Sequence, residues 1–169
     1  MEAKPPADSN ATLVRWMGIE DANTGGTVHG GVVMKLCDEV AAIAAIRHSR
    51  QRAVTAAMDR MTFLTPVYVA ELMTFKATVN AAWTTSMEVG VRVEAENPRT
   101  GESRHTSTAY MTMVALDEHG EPTPVPPLAA QTETEERRRR EAELRRRNRL
   151  AERDEILDGR EHKESDAGP

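Results

Sequence analysis

The sequence predicts an α+β domain in which a curved antiparallel sheet wraps one long central helix. Three observations predict this fold. A segment from Gly30 to about His48 is apolar on almost every side, as expected of a helix surrounded by other elements. Several later segments alternate apolar and polar residues with the period of a strand. A run of prolines then separates these segments from a highly charged C-terminal stretch.

The predicted elements follow one another as strand, loop, helix and then further strands. Ala11 to Met17 is predicted as a first strand, with residues 1–10 before it as a flexible N-terminus. Residues 21–31 form a glycine-rich loop that leads into the helix. After the helix, residues 54–63 alternate between apolar and polar, and the alternation changes phase near Arg60, which predicts a β-bulge. Three further strands are predicted at residues 73–81, 87–95 and 106–116.

The prolines between residues 122 and 127 place the domain boundary, because proline cannot continue a strand ladder. We therefore predict one domain over residues 11–127, a charged helix over 128–157 and a disordered tail over 158–169. Residues 131–169 carry 12 acidic and 11 basic side chains, which is half of all the lysine and arginine in the chain. A solvated helix is the ordinary interpretation of such a segment, and a basic clamp on phosphate groups is the alternative.

Composition excludes several classes of function. The chain has 169 residues and a net charge of −5, and its single cysteine, Cys37, allows no internal disulfide and favours a reducing, cytoplasmic location. The chain has no apolar stretch of the ~18 residues that a membrane helix needs. The acidic excess and only six aromatic residues argue against nucleic acid as a partner. Metal-ligand spacings and phosphate-binding glycine motifs are also missing, so we expect no metal and no cofactor.

The candidate chemistry lies in the loop and the helix. Asp38 and Glu39 are the acidic residues of the predicted helix, and the face of Asp38 is apolar and mostly small, with Met34, Ala41, Ala42 and Ala45. A carboxylate in an apolar slot keeps its proton to a higher pH than in water, which suits a general base. The alternative is a carboxylate that pairs with an arginine at an interface.

The start of the helix offers a second candidate group. Gly30 and Gly31 allow a ligand to approach the backbone, whose free N–H groups could polarise a carbonyl oxygen. Asp38 lies eight residues further on, roughly 12 Å along the helix. We therefore expect a two-fold dimer in which Asp38 of one chain faces Asn23 and Gly31 of the other. His29 is expected to have a structural role in the loop, because no second metal-ligating side chain accompanies it.

Residues Asp21–Ala41, with an asparagine, paired glycines and Asp38-Glu39 in order, resemble the signature of hotdog-fold acyl-CoA thioesterases. The similar branch contains the cytosolic long-chain acyl-CoA hydrolases and their bacterial relatives. Thr84–Val89 resembles the Ser-Met-Glu-Val strand of that family, and Ala109–Asp117 resembles its closing strand. The resemblance implies a hotdog fold, and an enzyme of fatty acid metabolism that hydrolyses acyl-CoA. It also implies a homo-oligomer, in which two hotdog domains form a dimer and three such dimers form a hexamer.

The resemblance also implies roles for individual residues. Asn23 would orient water or substrate, Asp38 would act as general base or nucleophile, and the backbone at Gly30 and Gly31 would hold the oxyanion. The family's CoA contacts would fall on Ala56, Ala57, Met58, Thr85, Ser86 and Met87. An arginine among residues 137–140, which we assign to Arg138, would reach a CoA phosphate. No cofactor is implied, because CoA is part of the substrate.

Two departures from the family pattern stand out, and two other functions remain open. Ala82-Trp83 replaces a glycine and a basic or polar residue, and Ala70-Glu71 replaces a common Gly-Asp turn. An acyl-CoA sensor without turnover is the first alternative function. A hotdog hydratase or dehydratase is the weaker one, because it needs a carboxylate and a histidine in one site, and the loop offers an amide at Asn23.

Overall fold

One antiparallel sheet and two helices make up the chain in the computed structural model, which describes the backbone of residues 1–166 and the side chains of residues 1–158. The strands are β1 (Ala11–Trp16), β2 (Arg52–Phe63), β3 (Leu72–Ala82), β4 (Ser86–Asn97) and β5 (Glu102–Leu116). The helices are α1 (Gly30–Ser49) and α2 (Glu133–Asp166), and short 3-10 turns lie at Pro6–Ser9 and Ile19–Asp21. The predicted α+β fold is confirmed. No helix in residues 1–166 is both long and apolar enough to span a bilayer.

The sheet has the strand order β1-β3-β4-β5-β2, so β1 and β2 are its edges. Alternate residues of the three central strands turn inward and are buried against α1, as the strand period requires. These inner residues are mostly valine, methionine and alanine: Met73, Phe75, Val79, Met87, Val89, Val91, Val93, Ala109, Met111, Met113 and Ala115. The period of the sequence therefore identified the inner face of the sheet.

The prediction that other elements surround α1 on every side is wrong in part. One side of the helix is fully buried by the sheet, through residues such as Val40 and Ala44. Elsewhere around the helix Met34, Ile43 and Ile46 are 41%, 40% and 44% exposed, with Met34 and Ile43 on opposite sides of the helix. A single sheet curls around only part of a helix, so the apolar residues beyond its reach stay exposed in one chain.

The edge strand β2 is irregular at two places. Its register with β5 shifts between Thr55 and Ala57 and again between Met58 and Arg60, which leaves Ala56 and Asp59 as extra residues. The predicted β-bulge near Arg60 is therefore confirmed at Asp59, and the one at Ala56 was not predicted. Two bulges within four residues turn side chains of this strand away from the regular alternation.

Helix α2 lies across the outer face of the sheet, opposite α1. Ala142 is completely buried there, and Arg145 pairs with the buried Glu88 of β4 at 2.7 Å. The helix begins at Glu133 rather than at residue 128, and it continues through Asp158 to Asp166, where a disordered tail was expected. Residues 167–169 of that tail lie outside the described residues. The high charge of α2 predicted a solvated helix. One face of the helix instead packs on the sheet, because two of its arginines, Arg145 and Arg149, bind carboxylates there.

The N-terminal segment, predicted to be flexible over residues 1–10, is attached to the domain from Lys4 onward. The Lys4 N–H donates to Pro127 O at 2.9 Å, and Ala129 N–H donates to Lys4 O at 2.8 Å. Ser9 is buried, and its hydroxyl accepts the Val79 N–H at 2.9 Å. These bonds satisfy backbone polar groups of the N-terminal segment and of the strand beside it. The polar composition of the segment does not show that it has these partners.

Ala70 has a left-handed backbone, with φ 69°, just before β3. An L residue is strained there, whereas glycine is not. We expect Ala70→Gly to raise the free energy of unfolding by about 1 kcal/mol, as measured by denaturant unfolding. Ala22→Gly is the matched control, because its φ of −77° is ordinary, and it should lower stability. Destabilisation by both substitutions to the same extent would contradict this account.

Glu71 holds Arg104 through two hydrogen bonds, of 2.7 and 2.8 Å. The bonds from Arg104 hold the pKa of Glu71 below its ordinary value of 4.5, despite the burial of the carboxyl. A depressed carboxylate pKa stabilises the fold above the unfolded pKa, and this stabilisation is lost as pH falls through the folded pKa. Glu71→Gln should therefore destabilise the protein at pH 7, and the difference from wild type should shrink as the pH falls through the lowered folded pKa of Glu71. A pH-independent difference in urea midpoint would refute this prediction.

Candidate active site

Asp38 lies in the middle of α1, half-buried, and faces the edge strand β2. The Thr55 hydroxyl of β2 donates a hydrogen bond to Asp38 Oδ1, and the same hydroxyl lies 3.4 Å from the sulfur of Met113. Thr55 belongs to the inner face, since it pairs with the buried Met113. The bond fixes one carboxylate oxygen, so Oδ2 remains for a water or a substrate.

The neighbours of Asp38 on its helical face match the predicted slot. Ala41 and Ala45 are buried, Ala42 is half-buried and Met34 is exposed. Small side chains next to a carboxylate leave room for a ligand. Within one chain the Asp38 carboxylate is bonded to Thr55, and the alternative of an ion pair with an arginine at an interface stays a prediction.

Asn23 shapes the loop before α1. Its Oδ1 accepts the N–H groups of Gly25 at 2.8 Å and Thr27 at 3.3 Å, and its Nδ2 donates to Thr27 Oγ1 at 2.9 Å. The carboxamide is therefore held in one orientation. Nδ2 has a second hydrogen, which a carbonyl or water oxygen could accept.

The helix N-terminus is capped by His29. The ring Nδ1 accepts the Gly31 N–H at 2.9 Å, so the expected structural role of His29 is confirmed. The same bond occupies one of the N–H groups that the sequence assigned to an oxyanion. Gly30 lies beneath Phe63, whose Cζ would be 3.3 Å from a Cβ at that position. A ligand can approach Gly31 only if the His29 ring turns away.

Neither Asn23 nor Asp38 lines the groove at the start of α1 or the two grooves beside α2. A groove of ≈ 330 Å³ opens beside the start of α1, and its walls include Gly30, Val33 and Phe63. Neither Asn23 nor Asp38 is in that wall. The expectation that one chain supplies only half of the site therefore stays open, and the structure of one chain agrees with it.

The predicted CoA-binding segments lie on two strands that β5 separates. Met87 is level with Thr55, because both pair with Met113, whereas Ala57 and Met58 are level with the next residues of β4. The two segments are therefore offset by a few residues along the strands. With a strand spacing of ~4.8 Å, β2 and β4 are roughly 10 Å apart. Met87 is completely buried, so one chain leaves no part of it accessible to a ligand.

Arg138 lies in a different place from the rest of the predicted site. It lines a groove of ≈ 430 Å³ between α2 and the outer face of the sheet, together with Lys76, Arg92 and Arg137. Asp38 is on the inner side of the sheet. One chain therefore does not bring Arg138 and Asp38 to the same ligand.

Cys37 is next to Asp38 in sequence but is completely buried. Burial raises the pKa of its thiol to about 12, and the charge of Asp38 adds to this effect. The thiol therefore stays protonated and acts as a small apolar side chain. Within residues 1–158 no group of three or more His, Cys, Asp and Glu side chains is placed to hold a metal ion.

Comparison with known proteins gives one consistent result. Residues 25–102 match the family model of the Thioesterase superfamily. Protein VdlD of Helicobacter pylori is 38% identical over 128 residues, which cover 75% of this chain and 73% of that protein. An apo-hexameric acyl-CoA thioesterase superimposes with a TM-score of 0.87 at 37% identity, over 90% of this chain and 97% of that one.

An acyl-CoA hydrolase from Staphylococcus aureus, solved with butyryl-CoA and CoA, superimposes with a TM-score of 0.86 at 31% identity, over 95% and 98% of the two chains. The same enzyme was also solved with an asparagine, an aspartate or a threonine replaced by alanine. The asparagine precedes the aspartate by 15 residues, and the aspartate precedes the threonine by 17. Asn23, Asp38 and Thr55 have the same two spacings here.

Thr55 is the site residue that the sequence analysis missed. It lies immediately before the predicted segment 56–58, on a strand that the alternation did identify. Nothing local marks it, because its bond to Asp38 joins residues 17 apart on a helix and an edge strand. Thr55 could have been found from the sequence by asking which inward-facing residue of that strand could bond to the polar residue of the helix, Asp38.

The protonated state of Cys37 makes a measurable prediction. A thiol reacts with disulfide reagents as the thiolate, so the folded protein at pH 8 should be labelled roughly a thousandfold more slowly than the urea-unfolded chain. Spectrophotometric titration with an aromatic disulfide measures both rates. Rapid labelling of the folded protein would contradict both the burial and the raised pKa of the thiol.

Proposed function

Because the chain belongs to the hotdog-fold acyl-CoA thioesterases, we propose that it hydrolyses acyl-CoA to a free carboxylic acid and CoA. The observation that carries the proposal is the carboxylate of Asp38, held by Thr55 on a helix face of small residues. The relatives named as acyl-CoA hydrolases supply the substrate class.

The thioester would bind with its carbonyl oxygen at the start of α1, where the helix dipole and the backbone N–H groups stabilise developing negative charge. Asp38 would take a proton from a water that attacks the carbonyl carbon and would return that proton to the departing CoA sulfur. Alternatively, Asp38 would itself attack that carbon and form a mixed anhydride, which a water would then hydrolyse to the free acid, supplying the proton for the CoA thiolate. The C–S bond then breaks, and the CoA thiolate receives a proton. Asn23 would orient the water or the carbonyl through its free Nδ2 hydrogen.

Thr55 would act on the carboxylate rather than on the substrate. Its hydroxyl fixes Asp38 Oδ1 and directs Oδ2 toward the slot. The matching spacing of a threonine mutated in the S. aureus enzyme supports this role. His29 would turn away when the substrate binds, because Gly31 N–H otherwise remains bonded to its ring.

Two chains would complete each site. Gly30 and Asp38 are eight residues apart on α1, roughly 12 Å, which is too far for both to act on one carbonyl. A two-fold axis that brings two α1 helices together antiparallel would place Asp38 of one chain beside the loop and Gly31 of the other. It would also cover the exposed Ile46, which lies two turns after Asp38 on a neighbouring part of the helix surface.

The remaining expectations belong to the same proposal. Hexameric structural relatives support a hexamer, assembled as three such dimers. The reaction as written needs no metal or redox cofactor, since every proton and bond is accounted for by Asp38, water and CoA. A cytoplasmic location stays a prediction that rests on the single cysteine.

Thiol release from a series of acyl-CoA substrates tests the chemistry. We expect turnover by the wild type and at least a hundredfold loss of kcat in Asp38→Ala, because a general base contributes about 10²–10⁴-fold. Glu39→Ala is the matched control, since Glu39 is the next residue and its exposed carboxylate pairs only with Lys35 at 3.7 Å. Binding of acyl-CoA without thiol release by the wild type would instead favour the acyl-CoA sensor.

Subunit complementation tests the two-chain site. Asn23→Ala and Asp38→Ala are each expected to be nearly inactive. After random exchange of their subunits, half of the dimers are mixed, and each mixed dimer has one intact site, so activity should recover to roughly a quarter of wild type. No recovery after verified exchange would show that both residues act from one chain.

A further inference from the structure

Two arginines of α2, Arg145 and Arg149, bind the sheet directly behind the proposed CoA-binding segments. Arg145 donates to both oxygens of Glu88, at 3.0 and 2.7 Å, and Glu88 is the residue after Met87. Arg149 pairs with Asp59, the residue after Met58. The two arginines are four residues apart and so lie one above the other on the same side of the helix.

Each pair holds an irregular place in the sheet. Asp59 is an extra residue of a β-bulge in the edge strand β2, and Arg149 joins it to Thr112 of β5, which accepts a second bond of 2.7 Å. A bulge interrupts the ladder that otherwise fixes an edge strand. The position of residues 56–58 therefore depends on this contact from α2.

The pair of Arg145 with Glu88 on β4 also lies beside a β-bulge. The register of β3 and β4 shifts between Val79 and Ala81, which leaves Asn80 as the extra residue. The Asn80 amide donates to Glu88 Oε1 at 3.1 Å, so one arginine holds β4 and the bulge of β3 together. The Arg145 guanidinium also lies 3.7 Å above the centre of the Tyr110 ring.

The carboxylates of both pairs are shielded from water. Glu88 is completely buried, and its side chain and that of Asp59 are 1% and 7% exposed. Loss of either arginine would leave a buried carboxylate unpaired, which is costly, so each pair ties its strand to α2. In contrast, Arg147 lies on the exposed side of α2, and among residues 1–158 its side chain makes no ion pair or hydrogen bond.

We propose that Arg145 and Arg149 are positioning residues that set the distance between the two CoA-binding segments, with α2 acting as a rigid spacer across the back of the sheet. This proposal rests on the proposed function and on the assignment of residues 56–58 and 85–87 to CoA. The two arginines lie on the outer face and do not touch the substrate. Their effect should therefore appear in the binding of CoA and not in the chemical step.

The test compares two thioesters of the same acid, one with CoA and one with N-acetylcysteamine, which lacks the nucleotide and most of the pantetheine arm. The variant is Asp59→Ala/Arg149→Ala, which removes both charges and so avoids leaving one buried and unpaired. We expect KM for the acyl-CoA to rise roughly tenfold with little change in kcat. The N-acetylcysteamine thioester should be hydrolysed about as well as by the wild type.

Controls separate this role from general damage to the fold. Arg147→Ala should leave both substrates unaffected, and Arg149→Lys should restore part of the KM, because it keeps the charge but only one donor group. Equal losses on both substrates, or a lower kcat with unchanged KM, would overturn the positioning role. If the wild type hydrolyses neither thioester, the proposed function itself fails, which is a different outcome.

If the double variant does not fold, Arg149→Gln is the second variant. Glutamine keeps a donor for Asp59 but loses the contact with Thr112 that arginine makes at the same time. We expect a smaller rise of KM, about threefold, again limited to the CoA substrate. An unchanged KM in a folded Arg149→Gln protein, together with unchanged inhibition by free CoA, would overturn the proposal.

Discussion

Burial of α1 by one curled sheet is the constraint on which the rest of the structure depends. The sheet covers the side of the helix that carries Val40 and Ala44, and it leaves Met34, Ile43 and Ile46 exposed. Asp38 lies at the border between these two sides, half-buried, where the edge strand β2 supplies the Thr55 hydroxyl. A carboxylate deep in the core would be too costly to ionise, and one on the open surface would be fully hydrated. The border position would suit a carboxylate that must both ionise and meet a substrate, as proposed.

The same constraint favours the proposed two-chain site. A helix long enough to fill the sheet separates its N-terminal N–H groups from Asp38 by more than the size of a thioester group. The part of α1 that the sheet leaves open, with Asp38 at its border, is the surface that an antiparallel copy would cover. On the opposite face of the sheet α2 adds a second layer, and its arginines form ion pairs with buried carboxylates of β4 and β2. In the proposed account the inner face of the sheet would serve the chemistry and the outer face would support it.

Much of the fold followed from the period of the sequence, and the site followed less completely. The helix from Gly30 and the strands after it were predictable, because each has a local apolar pattern. Asn23, Asp38 and the paired glycines were recognisable from their order in one continuous stretch. Thr55 was missed because its bond spans a helix and a strand. The docking of α2 was missed because Arg145 and Glu88 are 57 residues apart and both are charged, which in sequence indicates solvent. The capping of Gly31 by His29 depends on a side-chain rotamer, which no pattern encodes.

A crystal structure with a non-hydrolysable 2-oxoalkyl thioether of CoA, in which a methylene group separates the sulfur from the carbonyl carbon, would test the central claim most directly. The account predicts that the analogue's carbonyl oxygen lies at Gly31 of one chain, with the His29 ring turned away, and that the nearest carboxylate is Asp38 of a second chain. It also predicts that the pantetheine arm runs between residues 56–58 and 85–87. An analogue held by Asn23 and Asp38 of the same chain, or bound in the outer groove beside Arg138, would contradict the account.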